Sequence, residues 1–290
     1  MPELPEVETT VRNLNKKVLG RTFVDVWTDF KNIIKKPESF EEFKNQIRGR
    51  KIRRVWRRGK NILLDLSGDK TLLIHQKLTG HLLYGTWGIE NGIWKPAEKG
   101  PLEEKVNTYI HLLFNLDNGK TLALSDLRKF AKVELLSKEE LGKELSILGP
   151  ELLEKNFTFE KFKETILKKK GKIKQVLMDQ TVIAGIGNIY SDEILWEAKI
   201  HPFKEIKKLS DEEIKKIYEA IKKILNRAIK LKGDSMSDYR LITGEKGGYQ
   251  KFQKVYRQEG NPCKRLDGGI IKRVKIGGRS AHFCPICQKM

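Results

Sequence analysis

The hydrophobic period of this chain changes once, near residue 137, and that change limits the folds open to it. Up to residue 135 the apolar residues fall in short runs, NILLDL, TLLIHQKL, TYIHLLFNL and TLALSDL, broken by the turn signals SGDK and DNGK. Strand side chains alternate between two faces and strands stop where turn residues gather, so this spacing predicts a β-sandwich or barrel. The exception is the start, where PEVETTVRNLNKKVLG has helical spacing and stops at Gly20. From 138 to 232 the apolar residues recur every three or four positions, in KEELGKELSILG, TFEKFKETILKKK, KQVLMDQ, SDEILWEAKI and DEEIKKIYEAIKKILNRAIKLKG, which predicts helices. The last begins at Ser210 with Glu213 three residues on, a capping-box pattern, and ends at Gly233. GDSMSDYRLITGEKGGYQ, 233–250, is polar and Gly-rich; it predicts a long mobile loop, and its length favours function over mere linkage.

The expected fold class is therefore α+β. An N-terminal β-sandwich domain with an N-terminal helix covers 1–137, a helical domain with the loop 233–250 covers 138–250, and a small basic module covers 251–290. A groove with basic walls between two such domains would suit a duplex.

Charge narrows the partners. The chain has 58 Lys and Arg against 38 Asp and Glu, a formal net charge of +20. The excess is local: 251–290 hold ten basic residues and two acids, and KFKETILKKKGKIKQ (161–175) holds seven Lys and one Glu. Lysine-rich usage explains part of it, but clustered excess favours a polyanion, usually nucleic acid. No apolar run approaches a membrane span, and the N-terminus lacks the parts of a signal peptide, so a cytoplasmic location and no membrane partner are expected. The three cysteines, Cys263, Cys284 and Cys287, all lie in the last 28 residues; a metal site fits them better than a disulfide framework.

Each motif has an ordinary explanation as well as a chemical one. CPIC is a clean knuckle, but the position three residues after Cys263 is Leu266, which cannot ligate. Asp267, His282 or a water could complete four ligands around Zn²⁺, and the alternative is a metal-free hairpin held by apolar contacts. Gly185-Ile186-Gly187-Asn188 leads into a helical pattern, placing backbone N–H groups where they can meet a phosphate, or making an ordinary tight turn. In SDLRKFAK, Arg128 and Phe130 can enter a duplex, or be a surface Arg and a core Phe. Leu78 in HQKLTGH is a second candidate wedge and by default a core residue. Lys60 sits in a basic cluster, RRVWRRGK, where most lysines are simply solvated.

Taken in order, MPELPEVE, RRGK, HQKLTGH, DLRKF, KIKQVLMDQTVIAGIGNIYSDEILW and the terminal CPICQ closely resemble bacterial formamidopyrimidine-DNA glycosylase, over essentially the whole chain. The resemblance implies a bifunctional glycosylase and abasic-site lyase of base excision repair. Such enzymes excise 8-oxoguanine and formamidopyrimidines through a Schiff base on an N-terminal proline, then cut the strand by β,δ-elimination. It implies a helix–two-turn–helix element in the helical domain and a zinc-finger-like hairpin at the end.

By position, the resemblance makes Pro2 the nucleophile, once Met1 is removed, and Glu3 the acid/base carboxylate; Glu6 orients the terminus. Lys60 contacts the phosphate near the lesion, and Lys174 is a second lysine of the site. Asn188 binds backbone phosphates, and Arg279 clamps those flanking the flipped nucleotide. Leu78, Arg128 and Phe130 fill the vacated stack, with Arg128 bonding the orphaned cytosine. The loop near Ser237 and Tyr239 closes over the everted base. The implied partner is duplex DNA carrying an oxidised purine opposite cytosine, the implied cofactor one Zn²⁺ on Cys263, Cys284 and Cys287, and the expected state a nucleoid-associated monomer. The chain departs from the family at Leu78, usually Met; at Ala131, usually Gly; and at Leu266. Two other readings stand beside it: an endonuclease VIII-like enzyme for oxidised pyrimidines, whose chains instead resemble PEGPE at the start, and a non-catalytic DNA-binding relic.

Overall fold

The computed structural model describes residues 1–154 and 156–290. In chain order its strands are β1 (Phe23–Thr28), β2 (Ile34–Lys36), β3 (Ile52–Arg58), β4 (Asn61–Leu66), β5 (Lys70–His75), β6 (His81–Gly85), β7 (Trp87–Glu90), β8 (Ile93–Pro96), β9 (Ile110–Leu116), β10 (Thr121–Ser125), β11 (Lys132–Ser137), β12 (Lys272–Ile276) and β13 (Arg279–Phe283). The helices are α1 (Leu4–Lys17), α2 (Phe40–Ile47), α3 (Lys138–Ser146), α4 (Phe159–Leu167), α5 (Ile173–Met178), α6 (Asn188–Ala198) and α7 (Asp211–Lys230). The chain divides into two compact units, Met1–Ser146 with Leu231–Gln250, and Ile147–Lys230 with Lys251–Met290.

In the first unit a four-stranded sheet, ordered β1-β9-β10-β6, and a five-stranded sheet, β2-β11-β5-β4-β3, share one core. Strand alternation makes this possible. Leu112, Phe114 and Leu116 of β9 face inward beside Leu122 and Leu124 of β10, against Ile62, Leu64, Leu72 and Ile74 from the other sheet. The intervening residues are apolar too, so each sheet also has an outer apolar layer. Leu83, Leu113 and Ala123 pack with Trp87 and Leu102, and Leu63, Leu73 and Leu136 with Leu141 and Leu145 of α3. Val7, Val11 and Leu14 of α1 enter the inner core at three-to-four spacing.

Two features were not anticipated in the β-rich half. Helix α2 is capped by Ser39, whose hydroxyl accepts from the Glu42 amide, and it buries Phe43 and Ile47. The β7–β8 hairpin lays its Trp94 edge-on against Trp27 at 5.4 Å.

Residues 233–250 are tied to the first unit at several points. Ile242 lies in the inner core and its carbonyl accepts from the Tyr84 amide at 2.7 Å; Arg240 grips both oxygens of Glu104 at 2.8 and 2.7 Å. A polar, Gly-rich stretch reveals its glycines in the sequence but not the distant carboxylates that hold it.

The second unit is helical with the β12–β13 hairpin. α7 buries Ile214, Ile217, Ile221, Ile224, Leu225 and Ala228, and its capping box forms as the sequence predicts, Ser210 N to Glu213 Oε2 at 3.0 Å and Glu213 N to Ser210 Oγ at 3.2 Å. α5, a connecting turn and α6 make the helix–two-turn–helix element. Among the described residues no helix is long and apolar enough to cross a membrane.

Candidate active site

The N-terminus is built into the first unit by one carboxylate. Glu6, 1% exposed, accepts the Glu3 amide on Oε2 at 2.8 Å and the Asp234 amide on Oε1 at 2.7 Å. Helix N-termini leave amides unsatisfied and favour negative charge, so an acid three residues inside α1 is placed by ordinary helix chemistry. The close approach at 233 needs glycine. Its φ is +80°, and a Cβ there would stand 2.8 Å from Glu6 Oε1. Tyr239, buried, donates its hydroxyl to the Glu6 carbonyl at 3.2 Å, and burial holds that phenol far above its usual range. Ser237 is exposed. Pro2 and Glu3 are both buried at the head of α1.

Lys60 follows the Gly59 turn between β3 and β4 and is 6% exposed. Arg57 fixes that turn, donating to the Gly59 carbonyl at 2.9 Å and to Glu8 of α1 at 3.0 Å. Burial first, then the positive charges of Lys77, Lys60 and Lys132, push His75 down to about 3, so its ring is neutral among lysines.

Two loops carry the candidate wedge residues. Leu78 is half-buried on the β5–β6 loop; Arg128 and Phe130 are exposed on the β10–β11 loop. The Arg128 guanidinium lies over the Phe130 ring, 4.7 Å from its centroid, and the Arg128 amide donates to Thr79 Oγ1 at 3.1 Å. The three are thus brought together.

The second unit holds the remaining candidates. Asn188 opens α6 and donates to Ser280 Oγ at 3.3 Å, beside exposed Arg279 at the tip of the hairpin. An open cleft of about 450 Å³ runs along that hairpin past Arg273, Lys275 and Arg279. Lys174 is elsewhere: fully buried, it pairs with fully buried Asp192 and donates to Ser191 Oγ at 3.2 Å. The other oxygen of Asp192 accepts the His282 amide at 3.0 Å and meets His282 Nδ1 at 2.9 Å, which fastens β13 to α6. Glu193 next to it accepts the amides of Lys254, Val255 and Tyr256, each at 3.0 Å, while burial pushes its carboxyl up to about 7. Asp192 and Glu193 were missed by sequence reasoning; their signal was two adjacent acids inside an otherwise apolar helical stretch.

Cys263, Asp267, Cys284 and Cys287 bring four ligand atoms within 4.8 Å of one another. The Cys263 and Cys287 sulfurs are 4.0 Å apart, and Cys284 Sγ lies 3.4 Å from Asp267 Oδ2. Tetrahedral zinc with Zn–S of about 2.3 Å and Zn–O of about 2.0 Å needs separations near 3.8 Å for S···S and 3.5 Å for S···O, so the residues fit the ion. Gly269 keeps the cage open: a Cβ there would be 2.4 Å from Cys284 Sγ. Leu266 is 90% exposed and points away, and His282 is committed to Asp192. The fourth donor is one residue later than the cysteine spacing suggests.

The formamidopyrimidine-DNA glycosylase N-terminal domain matches residues 1–133, and the formamidopyrimidine-DNA glycosylase H2TH domain matches 148–240. Formamidopyrimidine-DNA glycosylases of Heliobacterium modesticaldum and Pelotomaculum thermopropionicum are 41% and 40% identical, each over 100% of both chains. A Lactococcus lactis Fpg mutant in complex with Fapy-dG-containing DNA superposes with a TM-score of 0.86 at 34% identity, over 100% of both chains. The Lactococcus lactis Fpg complex with abasic-site DNA gives 0.86 and 34%, over 99% of this chain and 100% of that one. The fold and site define a DNA-binding glycosylase of DNA repair. The chain belongs to the formamidopyrimidine-DNA glycosylase family.

Proposed function

We propose that this protein excises oxidised purines, 8-oxoguanine and formamidopyrimidines, from duplex DNA opposite cytosine, and then cleaves the abasic site. The observation that carries the reading is the anchored terminus, in which Glu6 fixes the Glu3 amide from one side and the 234 backbone from the other.

Removal of Met1 frees the Pro2 amine. A terminal amine titrates near pH 8, so a useful fraction is neutral at pH 7. The amine nitrogen bonds to the deoxyribose C1′ as the C1′–base bond breaks, the base departing with the proton the amine loses. Glu3 protonates the ring oxygen as the C1′–O4′ bond opens to an iminium. The resulting iminium acidifies the C2′ proton; its removal expels the 3′-phosphate, and a second elimination expels the 5′-phosphate. Lys60 and Arg279 hold phosphates around the lesion, Asn188 those further along, and Ser237 belongs to the segment closing over the everted base. Leu78, Arg128 and Phe130 fill the gap, with Arg128 on the orphaned cytosine. Lys174 and Tyr239, both buried, serve from beneath: Lys174 steadies the element that presents Asn188, and Tyr239 steadies the terminus.

Zn²⁺, held by Cys263, Cys284, Cys287 and Asp267, supplies structure to the hairpin and no reaction step. The protein acts as a monomer, one groove to one lesion.

Borohydride trapping on a duplex with one 8-oxoguanine opposite cytosine, with the crosslinked peptide mapped by mass spectrometry, tests the reading. An adduct on Pro2 is expected. An adduct formed only with a pyrimidine lesion would assign the endonuclease VIII-like activity, and tight binding with no adduct from a Pro2-terminated protein would leave a DNA-binding relic.

A further inference from the structure

The stack-filling side chains pose a mechanical problem. To enter a duplex they must be exposed, as Phe130 is at 50%, so packing cannot fix where they stand. Their positions have to be set from underneath, by groups that never touch DNA.

Fully buried Asp126 lies at that place. One carboxylate oxygen accepts the Thr79 hydroxyl in a short bond and the Arg128 amide at 3.3 Å; the other accepts the Ala131 amide at 2.8 Å. The Asp126 carbonyl takes the Lys129 amide at 3.1 Å, and its own amide is tied to the Tyr109 carbonyl at 2.9 Å. Thr79, 7% exposed, is adjacent to Leu78, and its oxygen also accepts the Arg128 amide. One carboxylate thus fastens the loop carrying Leu78 to the loop carrying Arg128 and Phe130. It also helps clamp the backbone of the residue assigned to the opposite base. A buried carboxylate that accepts hydrogen bonds on both oxygens has little freedom to turn, so the two loops are set relative to each other.

We propose that Asp126 and Thr79 form a brace that sets the register of the stack-filling residues and thereby the discrimination between cytosine and adenine opposite the lesion. They are positioning residues, acting through Arg128, and the inference rests on the reading of Leu78, Arg128 and Phe130 given above. The brace explains why a hydroxyl-bearing residue follows Leu78: an apolar residue of equal size would fill the same space and leave the carboxylate short of a donor.

The test is single-turnover excision of 8-oxoguanine opposite cytosine and opposite adenine, with each protein preparation compared against itself so that any loss of folded protein cancels. Thr79→Val and Asp126→Asn should each lower the cytosine-to-adenine rate ratio by about tenfold, the scale of one good base contact, while Thr79→Ser keeps it near the wild-type value. With 2-aminopurine as the orphaned base, fluorescence should report a less ordered partner in Thr79→Val than in Thr79→Ser. A wild-type ratio in Thr79→Val, or an equal fall in Thr79→Ser, overturns the brace. A wild-type enzyme with no cytosine preference instead overturns the role of Arg128, and the brace falls with it.

Discussion

Glu6 shows what a single side chain can decide. Its two oxygens accept one amide each, from residues 228 apart in the chain for the longer link. Gln offers only one acceptor oxygen and turns a donor toward the other amide, so Glu6→Gln should slow excision by about ten- to a hundredfold through misplacement of Pro2, with Schiff-base trapping falling in parallel. Glu3→Gln should reduce turnover as strongly yet leave binding to a non-cleavable abasic analogue close to wild type; titration by fluorescence anisotropy separates the two. At this scale the sequence was legible where chemistry clusters locally. Pro2, Glu3, Glu6 and the DLRKF loop are contiguous motifs. Asp126, Asp192, Gly233 and Glu104 were not, because each matters through a partner that only the fold supplies. Lys174 exposes the reverse difficulty: in sequence its motif looks like a surface contact, whereas its ammonium is buried on Asp192.

Among the elements, the anchored segment 233–250 and the terminal hairpin respond to different conditions. Glu104 is held at about 2 by its hydrogen bonds to Arg240, against an ordinary 4.5. Its folded-state value is depressed, so its stabilisation is complete above 4.5 and is lost as pH falls toward 2. Hydrogen exchange across 233–250 should therefore accelerate in that acid window more in wild type than in Glu104→Gln, which lacks the pairing at every pH. The hairpin should respond to metal instead. Cobalt substitution should give tetrahedral d–d bands with thiolate charge transfer from three sulfurs; Asp267→Cys should raise that charge transfer toward four, and Asp267→Ala should weaken metal retention against a chelator. Strands and helices were readable from period, since β9 and α7 follow theirs closely. The β7–β8 hairpin and α2 were not, being short segments inside a stretch whose dominant pattern was strand. The fourth ligand stayed open among Asp267, His282 and a water because cysteine spacing counts residues, whereas the turn at Leu266, with φ +56°, lets the chain present the next side chain, Asp267.

For the whole molecule, the net charge of +20 makes binding strongly salt-dependent, and log affinity should fall linearly with log salt. On the proposed phosphate contact of Arg279, Arg279→Ala should lower the slope by about one without changing which lesion is preferred. The change of hydrophobic period does not reveal the path of the chain. The first unit closes only when residues 231–250 return to it after the helices have been made. That route has a consequence for synthesis. The Asp234 amide and the Tyr239 hydroxyl that hold Glu6 leave the ribosome long after α1, so α1 begins life without its lock. On the proposed mechanism, which requires loss of Met1, that interval leaves the terminus open before the returning segment closes on it. The order of translation would then place the trimming that the proposed nucleophile needs before its confinement.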